Sequence, residues 1–269
     1  MSRRVRSVKS TALLPPSALL LALEGRAWFE WSSLALAWRY LQNAPKGDGH
    51  PVLVLPGMIA GDFSTWPLRR FLQTRGYAAY PWDLGLNYGP RQEIVRGLVR
   101  RVRELHEEHG RKVSLIGWSL GGALACALAA RMPKRVRQVI TLGSPLQAHA
   151  HATNAWRIFE LVSGYRANDP HLARIGGKSL QAPLTAILSR SDGVVNWRMS
   201  VAPPGPQRES IEVTASHLGL GANAAVLWAI ADRLAQAEGA WRPFERSGQW
   251  RSLFFRDPHR VPVGRLQTR

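Results

Sequence analysis

Gly117-Trp118-Ser119-Leu120-Gly121 fits the pattern G-x-S-x-G, with the apolar run VSLIG leading into it and the helical pattern GGALACALAARM leading out. Strand, sharp turn and helix is the setting in which a serine hydroxyl stands exposed at the carboxyl edge of a sheet. The flanking glycines leave room for the turn, and the helix N-terminus adds partial positive charge where an oxyanion would develop. Serine is a weak nucleophile at neutral pH and needs a base, held in turn by an acid. On a turn of this kind the chain order should be Ser, acid, His. Asp192 follows the strand-like TAILSRS and precedes Gly193, and His217 follows the strand-like SIEVTAS. Both fall at strand ends on the edge expected to carry Ser119. The chemistry this implies is acyl transfer: Ser119 as nucleophile, His217 as base, Asp192 as its orienting acid.

The other candidates fit less well. His106 and His109 lie on a charged helical pattern and read as solvated, while His149, His151 and His171 fall in an insert. His50 precedes the first strand and His259 is in the tail. Asp169 falls in the insert, and Asp232 lies on the last helix, after His217. Cys126, the single cysteine, sits among alanines on the helix after Ser119 and reads as a buried structural thiol. An oxyanion hole needs two backbone N–H donors, each worth about 3–4 kcal/mol of transition-state stabilisation. Leu120 is the first candidate. Met58 is the second, in the loop Pro56-Gly57-Met58-Ile59, where Gly57 lets the backbone bend toward Ser119.

The elements that must position these groups read as alternating strands and helices from His50 onward. Strand-like runs cover residues 52–55, 78–82, 113–117, 136–142, 184–188 and 211–214. Helical patterns cover residues 65–75, 91–108, 121–131 and 154–163, and a last amphipathic helix covers 222–236. This alternation predicts an α/β fold with a mostly parallel sheet covered on both faces. Gly122 is expected to let the helix after Ser119 pack closely on the sheet. Residues 147–183 are long for a connection. They read either as a short helical cap over Ser119 or as a surface helix without a gating role. Trp156, Phe159 and Leu161 are candidate lining residues for an acyl pocket, Trp118 and Trp66 are expected to narrow the site, and the loop Trp82–Pro90 is placed to touch substrate.

Four motifs in order, VLVLPGM, GWSLGG, SRSDGVV and TASHLGL, together with TLGSPL, resemble the α/β-hydrolase superfamily over roughly His50 to Gln236. Within it the chain is most similar to bacterial lipase and esterase-like members that begin with a V-L-V-x-P-G strand, in which TLGSP leads into a lid or cap. The resemblance implies a Ser-His-Asp carboxylesterase that needs no cofactor or metal. The strands that precede the oxyanion strand in larger members are missing from the pattern, so it implies a reduced sheet of about six strands. An acyltransferase using the same three residues, and a membrane-surface interaction protein with a vestigial site, are the alternatives.

The 269 residues divide into an N-terminal helical extension (1–49), a catalytic domain (50–239) and a basic tail (240–269). Within the extension, Trp28, Trp31, Leu34, Ala35, Trp38 and Leu41 recur at helical spacing. That face packs on the domain or meets lipid. The start MSRRVRSVKS before TALLPPSALLLALEG resembles a signal peptide, but Pro15, Pro16 and Glu24 interrupt it and no small-x-small site follows. The run is also short of the roughly 20 residues a membrane span needs. The expected location is cytoplasmic, or peripheral to a membrane. One cysteine excludes a disulfide framework. The formal charge of +18 is mostly arginine, since lysine supplies only five of the 36 cations. No basic-aromatic or helix-turn-helix pattern accompanies it, so nucleic acid is not the expected partner. An ester or lipid substrate and an anionic membrane are. The tail after Gly239 could wrap the domain or remain loose.

Overall fold

The computed structural model describes residues 13–147, 151–167, 169, 180–248 and 250–259. Six strands form one parallel sheet: β1 (Pro51–Leu55), β2 (Ala78–Tyr80), β3 (Val113–Trp118), β4 (Val136–Leu142), β5 (Leu184–Leu188) and β6 (Arg208–Glu212). Their order is β2-β1-β3-β4-β5-β6. The chain steps from β1 outward to β2, then returns to add every later strand on the other side of β1. The carboxyl ends of β1 and β3 therefore diverge into adjacent loops, the switch point where open α/β sheets hold ligands.

Side chains alternate across the strands, so each strand feeds two cores. Val52, Val54, Ile116, Ile140 and Ile187 face one, and Leu53, Leu55, Leu115, Val139 and Leu184 face the other. The first core is closed by α2 (Ala27–Leu41), α3 (Trp66–Thr74) and α7 (Ala224–Leu234), through residues such as Leu34, Phe71 and Leu227. The second is closed by α4 (Gln92–His109) and α5 (Leu120–Arg131). On α4, Ile94, Leu98, Val102 and Leu105 are buried at helical spacing, and the helix stops at Gly110 in the left-handed region, φ 59°. The thiol of Cys126 is buried on α5, and burial pushes its pKa up to about 12.

Several boundaries differ from expectation; the last long helix, expected over residues 222–236, is the shorter Ala224–Leu234. β2 ends at Tyr80 because Pro81 has no N–H to continue the ladder. The helix in the insert, α6 (Trp156–Ser163), starts two residues late, since Thr153 pairs with Val195 and the Asn154 N–H donates to Val194 O at 2.8 Å. β6 lies at Arg208–Glu212, earlier than the 211–214 expected, because its charged residues hide it. Glu209 pairs with Arg233 at 3.0 Å and Glu212 with Arg190 at 2.8 Å.

The described part of the tail wraps this edge strand. Backbone hydrogen bonds join Glu212 and Arg256 in both directions, at 3.0 and 2.8 Å, and Phe244 and Phe255 are buried. α8 (Arg251–Phe254) completes the wrap. At the other end of the chain, α1 (Ala18–Ala22), a 3-10 turn (Leu23–Arg26) and α2 run over the carboxyl end of β5 and β6. The inner face of α2 packs on the first core, while Trp28 and Phe29 are about four-fifths exposed, at 80% and 79%. Among the described residues no helix is long and apolar enough to cross a membrane. His149, His171, Gly176 and Gly177 of the insert and the basic residues before Thr11 lie outside the described residues.

Candidate active site

Ser119 is the hinge between β3 and α5, with φ 52° and ψ −121°. A non-glycine residue held there is strained, and the strain is imposed by packing on every side. A Cβ on Gly117 would lie 2.3 Å from Gly122 Cα, one on Gly121 would lie 2.5 Å from Leu55 O, and one on Gly122 would lie 2.0 Å from Ser144 Oγ. Side chains at any of these positions would push α5 off the sheet and relax the turn. The Ser119 N–H donates to Leu142 O at 2.8 Å, anchoring the turn to the end of β4.

Asp192 and His217 come from the loops after β5 and β6 and meet in the interior. His217 Nδ1 lies 2.7 Å from Asp192 Oδ2, and the residues are 4% and 3% exposed. The other carboxylate oxygen of Asp192 accepts the N–H groups of Val194 and Val195, at 2.8 and 2.7 Å, which fixes its rotamer. Gly143, at the end of β4 with φ 55°, lies against both: a Cβ there would sit 3.0 Å from Asp192 Oδ2 and 3.1 Å from His217 Nδ1. Burial works to lower the His217 pKa, but the charge and hydrogen bond of Asp192 and the charge of Glu24 outweigh it, and the pKa is raised above 6.5. Among the described residues Ser119 Oγ makes no hydrogen bond.

The loop after β1 runs beside the turn, with the Cβ position of Gly57 lying 3.6 Å from Ser119 Cβ. Asn87, fully buried, pins this loop. Its side-chain amide donates to Pro56 O at 2.8 Å, its backbone carbonyl accepts from Ile59 at 2.8 Å, and its backbone N–H donates to Ala60 O at 3.0 Å. These bonds force Ile59 into the left-handed region, φ 56°, and leave the Met58 N–H without an acceptor among the described residues. Leu120 is the first residue of α5, so its N–H has no intrahelical acceptor. Both N–H groups thus belong to backbone flanking Ser119.

A family model described as alpha/beta hydrolase fold matches residues 95–173, which include the Ser119 turn. The six-stranded parallel sheet with this turn after β3 is the α/β-hydrolase fold. The mouse (Mus musculus) protein named serine hydrolase BPHL is 30% identical over 114 residues, 39% of this chain and 39% of that protein. The chain therefore spans about two fifths of that curated relative. Among solved structures, the monoacylglycerol lipase of Paleococcus ferrophilus aligns over 70% of this chain and 96% of its own, at 15% identity and a TM-score of 0.53. An alpha/beta hydrolase superfamily protein from Enterococcus faecalis aligns over 71% and 93%, at 14% identity and the same TM-score of 0.53. These two likenesses are of fold.

In this fold the expected substrate-lining residues separate. Trp118 is buried under the histidine loop, where its indole N–H donates to His217 O at 3.0 Å, so it supports the loop instead of narrowing a mouth. Trp66 is more than half exposed at the start of α3. Trp156 packs edge-on against His151, and Phe159 faces the loop after β2, 3.5 Å from where a Cβ on Gly89 would sit. Leu161 points outward, 84% exposed, and cannot line a pocket in this arrangement. His109, expected to be solvated, is half-buried and lies 2.8 Å from the Tyr80 hydroxyl.

His50 forms a second constellation at the opposite edge of the sheet. Its Nδ1 lies 2.5 Å from Asp48 Oδ1 and its Nε2 lies 2.8 Å from Ser114 Oγ. Ser114 is fully buried, and burial lowers the His50 pKa to about 4 despite the Asp48 hydrogen bond. This group ties the linker before β1 to β3. Among the described residues no cluster of His, Cys, Asp or Glu could hold a metal ion.

Proposed function

We propose that the protein is a serine hydrolase of carboxylic esters that works through an acyl-enzyme. The observation that carries this reading is the strained Ser119 at the end of β3, on the same sheet edge as the buried His217–Asp192 pair. Ser119 Oγ attacks the ester carbonyl while its proton passes to His217 Nε2. Asp192 holds the imidazole through Nδ1 and stabilises its charged form. The N–H groups of Met58 and Leu120 receive the oxyanion. His217 then gives its proton to the leaving alkoxide, and a water activated by the same imidazole releases the acid. Ile59, Phe63, Trp66 and Leu86 are exposed apolar residues on the segments that follow β1 and β2. They support an apolar acyl chain, and the lipase and serine hydrolase names among the matched proteins agree with it.

Ser119→Ala should lower kcat on p-nitrophenyl esters by on the order of 10⁶-fold. A fluorophosphonate probe should label the parent and not the variant. An unlabelled parent, or a variant that keeps the parent's turnover, overturns the reading. Free acid as the main product in the presence of added alcohol or thiol assigns water as the acceptor; an acyl-acceptor product would make the enzyme a transferase.

A further inference from the structure

Glu24 lies on the N-terminal extension, far in sequence from Ser119, Asp192 and His217, and yet it is 5% exposed. Its Oε1 accepts the N–H of Gly193 at 2.7 Å and the N–H of His217 at 2.9 Å. Its Oε2 accepts the N–H of Leu218 at 2.9 Å. One carboxylate thus bridges the residue after Asp192 and the backbone of His217 itself. We propose that Glu24 is a positioning residue of the active site, holding the acid loop and the histidine loop at the separation at which Asp192 meets His217.

The surroundings are built for this contact. Gly193 and Gly219 have no room for a side chain: a Cβ would lie 2.2 Å from Leu20 O in the first case and 2.0 Å from Glu30 Oε2 in the second. Glu30 Oε1 accepts the Ser216 N–H at 2.7 Å, and the Trp31 indole donates to Leu218 O at 3.1 Å. Arg26 Nη2 donates to Ser191 O at 2.7 Å and to Ala215 O at 3.0 Å. The extension therefore grips the residues immediately before and after both Asp192 and His217. A buried carboxylate that accepts three backbone N–H groups leaves them no other partner, so its loss unbinds both loops at once.

The charge of Glu24 reaches the imidazole as well, adding to Asp192 in raising the His217 pKa against burial. The charged groups around this corner are Asp192 from the loop after β5, Glu24 from the 3-10 turn, Glu30 from α2, and Arg26, which lies 3.5 Å from Glu30. A residue that only glued the extension down would affect melting. One that positions the base also changes the titration of His217.

The proposal rests on the function proposed above for its kinetic readout but not for its titration. Glu24→Gln preserves shape, removes the charge and turns one acceptor into a donor facing the Leu218 N–H. In that variant the His217 imidazole, followed by NMR, should titrate at a lower pH than in the parent. The acid limb of kcat/KM on p-nitrophenyl butyrate should move the same way. The kcat should fall about tenfold or more, with little change in KM. Glu24→Asp keeps the charge but shortens the reach, so it should keep more of the parent's titration midpoint while still losing kcat. A folded Glu24→Gln protein whose His217 titrates as in the parent overturns the proposal, even if it melts at a lower temperature. Should Glu24→Gln not fold, parent-like kcat in Glu24→Asp overturns it and reduced kcat supports it. If the parent turns over no ester, the proposed function fails and the His217 titration still decides the role of Glu24.

Discussion

In the proposed mechanism His217 must be neutral to take a proton from Ser119, and its surroundings favour the charged form. Its pKa is raised above 6.5 by Asp192 and Glu24 against the effect of burial. The kcat/KM of the parent should therefore fall as pH drops through a value above that of an ordinary imidazole, and a limb below the ordinary imidazole range would contradict this account. Stability carries the opposite sign. A raised folded-state pKa favours the fold fully below the unfolded value and loses that contribution as pH rises through the folded one. The turn at Ser119 and the meeting of Asp192 with His217 were legible because the turn motif fixes one strand end and the chain order nominates two more. Glu24 was not. In the sequence it only interrupts an apolar run, because its partners are backbone N–H groups from two distant loops and carry no side-chain signature.

At the scale of elements, the parallel sheet was legible from continuous apolar runs, and five of the six strands lie close to where those runs are. β6 was displaced because Arg208, Glu209 and Glu212 break its apolar pattern while their counter-charges, Arg233 and Arg190, lie on other elements. The loop after β1 shows the same limit. The approach of this loop to Ser119 was legible from Pro56-Gly57, but the residue that shapes the loop is Asn87, inside a stretch expected to touch substrate. Asn87→Ala removes the bond to Pro56 O and the acceptor for the Gly89 N–H. Leaving those groups unpaired should cost about 1–3 kcal/mol in denaturant unfolding. It should also lower kcat by about tenfold to a hundredfold, since the Met58 N–H would no longer be held beside Ser119. Unchanged kcat would mean that the loop keeps its shape without Asn87.

At the scale of the molecule, the N-terminal extension has two faces with different partners. Its inner face packs on the first core and grips the acid and histidine loops. Its outer face exposes Trp28, Phe29, Leu36 and Tyr40, an apolar strip on a chain with a formal charge of +18. We propose an anionic lipid surface as the occupant of that strip, since apolar insertion and attraction to lipid headgroups act together there. The protein should co-sediment with phosphatidylserine vesicles at low salt, and Trp28→Ser with Phe29→Ser should weaken this while leaving turnover of a short water-soluble ester unchanged. No sedimentation at low salt would dismiss the membrane role. The packing of Trp31, Leu34, Trp38 and Leu41 was legible from helical spacing, whereas Trp28 and Ala35, expected on the same face, are exposed. That the outer apolar residues would stay uncovered was not, because spacing marks an apolar face and not what meets it.

The Asp48–His50–Ser114 group has a consequence for how active sites are found. Every atom-to-atom link in that relay is formed, whereas the Ser119 hydroxyl has no partner among the described residues. A search that ranked acid–imidazole–hydroxyl chains by closeness would choose Ser114, the serine no substrate can reach. In a parallel sheet, strand direction separates the two serines: Ser114 lies at the buried start of β3, and Ser119 follows its carboxyl end, where a ligand can reach.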